Sequence, residues 1–184
     1  MNGIALIGRA RSGKDTAASV LVAEHGFARL ALADPLKAMA YDIDPVVGVE
    51  MLGVNAPALV GLADAVDRYG WERVKDEFPA ARRFLQRLGT EGVRRHVDRD
   101  FWITRCVSDA AASTRPVVVT DVRFENEVEA LRATGFAVWF IDRGAPDGYH
   151  PSEQLGPEHA DLVIPNFGSI AAFTHRIHTA LESL

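Results

Sequence analysis

Nine residues near the N-terminus, Gly8-Arg9-Ala10-Arg11-Ser12-Gly13-Lys14-Asp15-Thr16, fit G-x-x-x-x-G-K directly after the apolar run Gly3-Ile4-Ala5-Leu6-Ile7. This pattern suits a polyphosphate. Glycines let the backbone fold so that successive N–H groups face phosphate oxygens, the following helix adds partial positive charge, and a lysine reaches the outer phosphates. Gly8, Arg11, Ser12, Gly13, Lys14, Asp15 and Thr16 are therefore candidate nucleotide contacts, and Lys14 is the one placed to follow a phosphoryl group in transfer. Asp15 occupies the slot where a hydroxyl residue ordinarily holds Mg²⁺. It either meets Mg²⁺, directly or through water, or complements the helix dipole and faces solvent.

Other residues could serve a second substrate. Asp34 follows the second apolar run and precedes Pro35, so it is placed for a ligand at a strand end or for a helix N-cap. Lys37, one turn on, meets an acceptor phosphate or is solvated. Arg83 and Arg87 share a helix face, with Gln86 and Thr90 a turn apart beside them. Such a face offers guanidinium forks to a phosphate and an amide to a base edge, or is simply a solvated face. Phe101 and Trp102 either stack on a base or belong to the core. Asp121 and Arg123 follow the β-branched run Val117-Val118-Val119-Thr120. At that strand end a carboxylate can hold Mg²⁺ and an arginine can bridge two phosphates, or the two form a structural ion pair. Arg143 ends a fourth run, where it could neutralise charge on a transferred group. Asn166 and Gly168 follow the fifth, in a nucleotide-side loop or in a turn capped by Ser169. His175 and His178 have i, i+3 spacing, but no acidic partner completes a metal set, and they are read as solvated.

The elements that must position these residues alternate between short apolar runs and amphipathic helices, the pattern of a parallel sheet covered on both faces. Strands are expected over 3–7, 27–33, 117–120, 136–141 and 162–164, and helices over 13–24, 35–42, 80–97, 101–112, 125–134 and 169–184. An insert rich in glycine and proline at about 44–79, with one short helix over 62–69, and a polar stretch at about 144–157 interrupt the alternation. Segments of that kind in a compact domain form binding loops or lids.

The 184 residues suit a single domain, and 48% hydrophobic residues are enough for a core. Twenty Lys and Arg against 25 Asp and Glu, a net charge of -5, exclude a global field for nucleic-acid polymers. Cys106 is the single cysteine, so an intrachain disulfide and cysteine-held metals are excluded. Apolar runs are strand-sized and the first leads into the glycine loop, so neither a membrane span nor a signal peptide is expected, and a cytoplasmic location is.

Five motifs occur in order: Arg11-Ser12-Gly13-Lys14-Asp15-Thr16, Ala33-Asp34-Pro35-Leu36-Lys37, Leu85-Gln86-Arg87-Leu88-Gly89-Thr90-Glu91, Asp98-Arg99-Asp100-Phe101-Trp102, and Thr120-Asp121-Val122-Arg123-Phe124-Glu125-Asn126-Glu127. Together they resemble the bacteriophage-type deoxynucleoside monophosphate kinases. The resemblance implies a P-loop kinase fold, an α/β architecture with a five-stranded parallel sheet, a helical acceptor-binding insert and a lid. It implies transfer of the γ-phosphoryl of ATP to a dNMP with Mg²⁺, in the host cytoplasm if phage-encoded, by a monomer or a homodimer. On that reading Lys14, Asp121, Arg123 and Arg143 are catalytic and Asp15 and Asp121 hold the metal. ATP is contacted by the loop together with Asn166 and Gly168, and the acceptor by Asp34, Lys37, Arg83, Gln86, Arg87, Thr90, Trp102 and Arg123. Two alternatives stay open: a kinase of another small molecule, similar to dephospho-coenzyme A or gluconate kinases, and a nucleotide-dependent switch without a small acceptor.

Overall fold

The computed structural model describes residues 2–51, 56–144 and 155–184. In chain order the elements are β1 (Gly3–Ile7), α1 (Lys14–His25), β2 (Ala28–Leu30), α2 (Ala33–Ile43), β3 (Val46–Met51), β4 (Pro57–Gly61) and α3 (Leu62–Glu77). There follow α4 (Pro79–Gln86), which runs into a π-helical stretch (Arg87–Arg94), then α5 (Phe101–Ala111), β5 (Val117–Val119), α6 (Glu125–Ala133), β6 (Phe136–Asp142), β7 (Leu162–Pro165) and α7 (Ile170–Glu182). The chain forms two compact units, Met1–Leu32 with Ile103–Leu184, and Ala33–Trp102.

The first unit is built on a parallel sheet in the order β2-β5-β1-β6-β7. Because side chains alternate along a strand, the central strand β1 feeds both faces. Ile4 and Leu6 join Trp139, Ile141 and Phe173 under α1 and α7, while Ala5 and Ile7 join Val119, Phe140, Ile103 and Leu131 under α5 and α6. All five expected strands are present; the inner strands β1, β5 and β6 are buried on both faces and read as unbroken apolar runs, while the edge strands β2 and β7 are only partly buried. The second strand is shorter than the expected 27–33. The Leu32 N–H goes to the Asp121 carboxylate at 2.7 Å instead of to a ladder, and α2 begins at Ala33. His178 is not simply solvated either, since its Nδ1 lies 2.8 Å from Nε2 of His25 and ties α7 to the end of α1.

The second unit differs more from expectation. Within 44–79 the chain forms an antiparallel pair, β3 with β4, that helical periodicity does not reveal. Pro45, Gly48 and Pro57 read as breakers, yet they leave strands of six and five residues. The helix expected over 62–69 continues to Glu77, with a kink at Gly70 (φ 75°, ψ 158°). The first half stops where glycine is expected to stop it and a second half starts at Trp71. Val47, Val60, Leu62, Ala65, Val74 and Ala81 close a core beneath hairpin and helices. Arg68, paired with Glu50 and Asp64, fixes α3 to β3.

The Gly70 conformation is one that residues with a Cβ avoid. Gly70→Ala should cost about 1–3 kcal/mol, although among the described residues no atom lies within 4 Å of the added methyl. Urea unfolding measures this. Wild-type stability would mean that the kink relaxes into ordinary helix.

Candidate active site

The glycine loop leaves β1 at the C-terminal edge of the sheet, where open α/β sheets place ligands. Gly8 (φ 137°), Arg11 (φ 60°) and Gly13 (φ 106°) all have left-handed backbone, which coils the loop back on itself. Lys14 Nζ donates to the carbonyls of Gly8 and Arg9, both at 2.7 Å, so its ammonium spans the loop. Ser12 is 3% exposed, and its hydroxyl finds no hydrogen-bond partner among the described residues. Among the described residues no side chain caps α1, so its first-turn N–H groups are not satisfied in that way. Asp15 and Thr16 are exposed on that first turn. Uncapped N–H groups beside a buried, unpartnered hydroxyl suit an anion with several oxygens.

Two neighbouring strand ends brace the loop. The Asn166 amide donates to the Ser12 carbonyl at 2.7 Å and lies where a Cβ on Gly13 would stand, so Gly13 must be glycine for contact as well as for φ. The backbone N–H of Asn166 donates to the Asp142 carbonyl at 2.5 Å, and Arg143 Nη1 reaches the Arg11 carbonyl at 3.2 Å. Ser169 caps α7 through Ala172 N–H. Arg176, which sequence reasoning passes over, holds the turn between β7 and α7 by donating to the carbonyls of Pro165 and Phe167 and lying 5.8 Å from the Phe167 ring centre. Gly13, Thr16, Arg143, Phe167 and Gly168 line a cleft of about 350 Å³.

At the end of β5, Asp121 receives the Leu32 N–H, so one carboxylate oxygen already has a structural task. Arg123 is exposed, and the turn carrying it is fixed by Glu127, whose Oε2 accepts from the backbone N–H groups of Arg123 (2.8 Å) and Phe124 (3.2 Å). Glu127 is 1% exposed. It is a structural support that the sequence signals by its place three residues after the N-cap Phe124, the acidic half of a capping box.

In the second unit Asp34 lies inside the first turn of α2 and not ahead of it, 3.9 Å from Lys37 Nζ. The expected helix over 80–97 is present as α4 followed by the π-helical stretch. Its i→i+5 bonding means that a four-residue spacing no longer returns to one line. Arg83, Gln86, Arg87 and Thr90 are exposed, and Arg87 lies 3.6 Å from Glu91. Trp102 is a correction. It is 3% exposed, donates through Nε1 to the Gly89 carbonyl at 3.1 Å and meets Phe101 edge-on, so its ring is structural and offers no face to a base. Leu36 lies against Gly89 from α2. Three of the sequence motifs thus meet at one glycine of the π-helical stretch. Asp34, Lys37, Tyr41, Asp42 and Trp71 line a second cleft of about 350 Å³, of which sequence reasoning had named the first two. Of the stretch at about 144–157, residues 145–154 lie outside the described residues. No described helix is long and apolar enough to cross a membrane.

A family model described as deoxynucleotide monophosphate kinase matches residues 64–177. The chain belongs to the deoxynucleotide monophosphate kinase family. A putative deoxynucleotide monophosphate kinase of Acanthamoeba polyphaga mimivirus is 26% identical over 200 residues, covering 98% of this chain and 96% of that protein. The deoxynucleotide monophosphate kinase of Enterobacteria phage T4 is 27% identical over 138 residues, covering 71% of this chain and 55% of that protein. Against three of the relatives that it matches, the chain spans about half of their length, from 44% to 55%. A gluconokinase from Sinorhizobium meliloti 1021 shares the fold at a TM-score of 0.50 and 13% identity, covering 98% of this chain and 91% of that one. The five-stranded core is therefore a P-loop kinase fold.

If the Asn166 amide braces the loop, Asn166→Ala should speed amide hydrogen exchange over residues 9–14. Loss of one such bond is worth about 0.5–1.5 kcal/mol, or roughly a 2- to 12-fold faster exchange. Unchanged exchange there would show that the loop holds its shape unaided.

Proposed function

We propose that this chain transfers the γ-phosphoryl group of ATP to a deoxynucleoside monophosphate, giving ADP and the deoxynucleoside diphosphate. The observation that carries the reading is the coiled Gly8–Gly13 loop, with Lys14 spanning it and a buried unpartnered Ser12 hydroxyl, in a chain of this family.

In this reading the loop N–H groups and Lys14 hold the β- and γ-phosphates, and Asn166 and Arg143 keep the loop in shape. The cleft beside Thr16 and Phe167 takes the remainder of the donor. Mg²⁺ fits this residue set, because it is commonly held by one or two carboxylates and the substrate phosphates, with water completing its shell. Asp15, Thr16 and Asp121 are the residues that would hold it, and it would supply neutralisation of phosphate charge. Arg123 and Arg143 then offset the charge that spreads over the transferred group.

The acceptor needs no protein base. A phosphate monoester has a second pKa near ~6 and already presents an anionic oxygen at neutral pH. Positioning and charge neutralisation are left to the protein. Asp34, beside Lys37, orients the acceptor; Arg83, Gln86, Arg87 and Thr90 offer it further contacts. A kinase for a hydroxyl acceptor would instead need Asp34 to take a proton.

Steady-state assays with ATP and Mg²⁺ across dNMPs, NMPs, gluconate and dephospho-coenzyme A, following ADP release and product together, test the reading. A dNMP should be the best acceptor, with the rate falling below about pH 6 as its phosphate protonates. Lys14→Ala should lower kcat by about 100-fold or more with folding intact, and near-normal turnover would remove Lys14 from the mechanism. Asp34→Asn should raise the acceptor KM more than it lowers kcat. A kcat loss of about 10²- to 10⁴-fold together with preference for a hydroxyl acceptor would identify a general base and a different reaction.

A further inference from the structure

Within the second unit, α2 and the second half of α3 line an open cleft bounded by Asp34, Lys37, Ala38, Tyr41, Asp42 and Trp71. Along α2 these residues recur at spacings of three and four, so they form one face roughly 12 Å long at 1.5 Å per residue, about the length of a nucleoside monophosphate. Ala38 contributes only a methyl, which leaves room opposite the larger side chains. Trp71 stands at the start of the helical half that resumes after the Gly70 kink. Its indole is half-buried, anchored against the hydrophobic core of this unit and open to the cleft on another side.

The charges choose which part of a nucleotide belongs here. Two carboxylates, Asp34 and Asp42, face the cleft against one ammonium, Lys37, so the lining repels a phosphate and accepts a neutral ring. Tyr41 adds a ring whose hydroxyl donates to both oxygens of Asp67 at 2.9 Å. Lys37 Nζ lies 6.0 Å from the Trp71 ring centre, at the outer limit of a cation–π contact. That weak contact leaves the indole face open to replacement by a better stacking partner.

We propose that Trp71 is the stacking platform for the nucleobase of the acceptor, the part that sequence reasoning gives to Trp102. This inference rests on the kinase reading above and adds to it the residue that recognises the base. Every base has a π-face, so the platform serves purines and pyrimidines alike, and stacking on an aromatic side chain is sequence-tolerant.

The test pairs Trp71→Ala and Trp71→Phe with two kinds of probe, dNMPs (dAMP, dGMP and dTMP) and 2-deoxyribose 5-phosphate, which lacks a base. Affinities are measured by calorimetry. Trp102 and Trp139 are 3% and 0% exposed, so base binding should quench the fluorescence of Trp71 alone. Trp71→Ala should weaken each dNMP by at least about fivefold and leave 2-deoxyribose 5-phosphate and the ATP KM unchanged. Trp71→Phe should keep most of the dNMP affinity and lose the quenching. Equal weakening of dNMP and sugar phosphate would make Trp71 a packing residue and overturn the proposal, as would no weakening of either. If the wild-type protein binds no dNMP at all, the kinase reading itself fails and this inference with it.

Discussion

A run of backbone N–H groups can serve a polyphosphate only if the chain is held in a coil that it would not keep by itself. The loop between β1 and α1 meets that constraint with three left-handed residues, Gly8, Arg11 and Gly13, and with bonds that arrive from elsewhere in the chain. Asn166 at the end of β7 holds Ser12, Arg143 at the end of β6 holds Arg11, and Lys14 closes the ring from inside. The parallel order β2-β5-β1-β6-β7 makes this possible, because it brings the C-terminal ends of β6 and β7 to the same edge as the loop. Parallel strands need covering on both faces, and the four helices α1, α5, α6 and α7 follow from that requirement.

The second unit is organised around a different close contact. Gly89 lies in the π-helical stretch, Leu36 rests against it, and its carbonyl receives the Trp102 indole N–H. A buried indole leaves its N–H costly unless it finds an acceptor, and the Gly89 carbonyl supplies one. The contact fixes α2 against the stretch that carries Thr90. It also explains what brings three widely spaced motifs together at one point.

Buried strands and the glycine loop were legible in the sequence because their signals are local: an apolar run, a fixed glycine spacing, a lysine in register. What was not legible depended on distant partners. Asp121 looked like a metal ligand at a strand end, and the sequence could not show that Leu32 N–H, 89 positions away, already uses one of its oxygens. Glu127 was visible as part of a motif, but its burial and its two backbone bonds follow from the turn at Arg123. The hairpin of β3 and β4 was hidden by Pro45, Gly48 and Pro57, which are turn signals in isolation. Trp102 was open to either role, since an aromatic on a helix reads the same whether it faces a core or a cleft, and Trp71 carried no motif that singled it out.

The proposed division of labour, ATP on the first unit and the acceptor on the second, predicts two separate footprints. Backbone amide chemical shifts should be recorded during separate titrations with ATP and Mg²⁺ and with dGMP. ATP should move residues 8–16 and 166–170, while dGMP should move residues 34–42, 71 and 83–90. If dGMP moved only the loop set, or moved nothing, the second unit would not be the acceptor site.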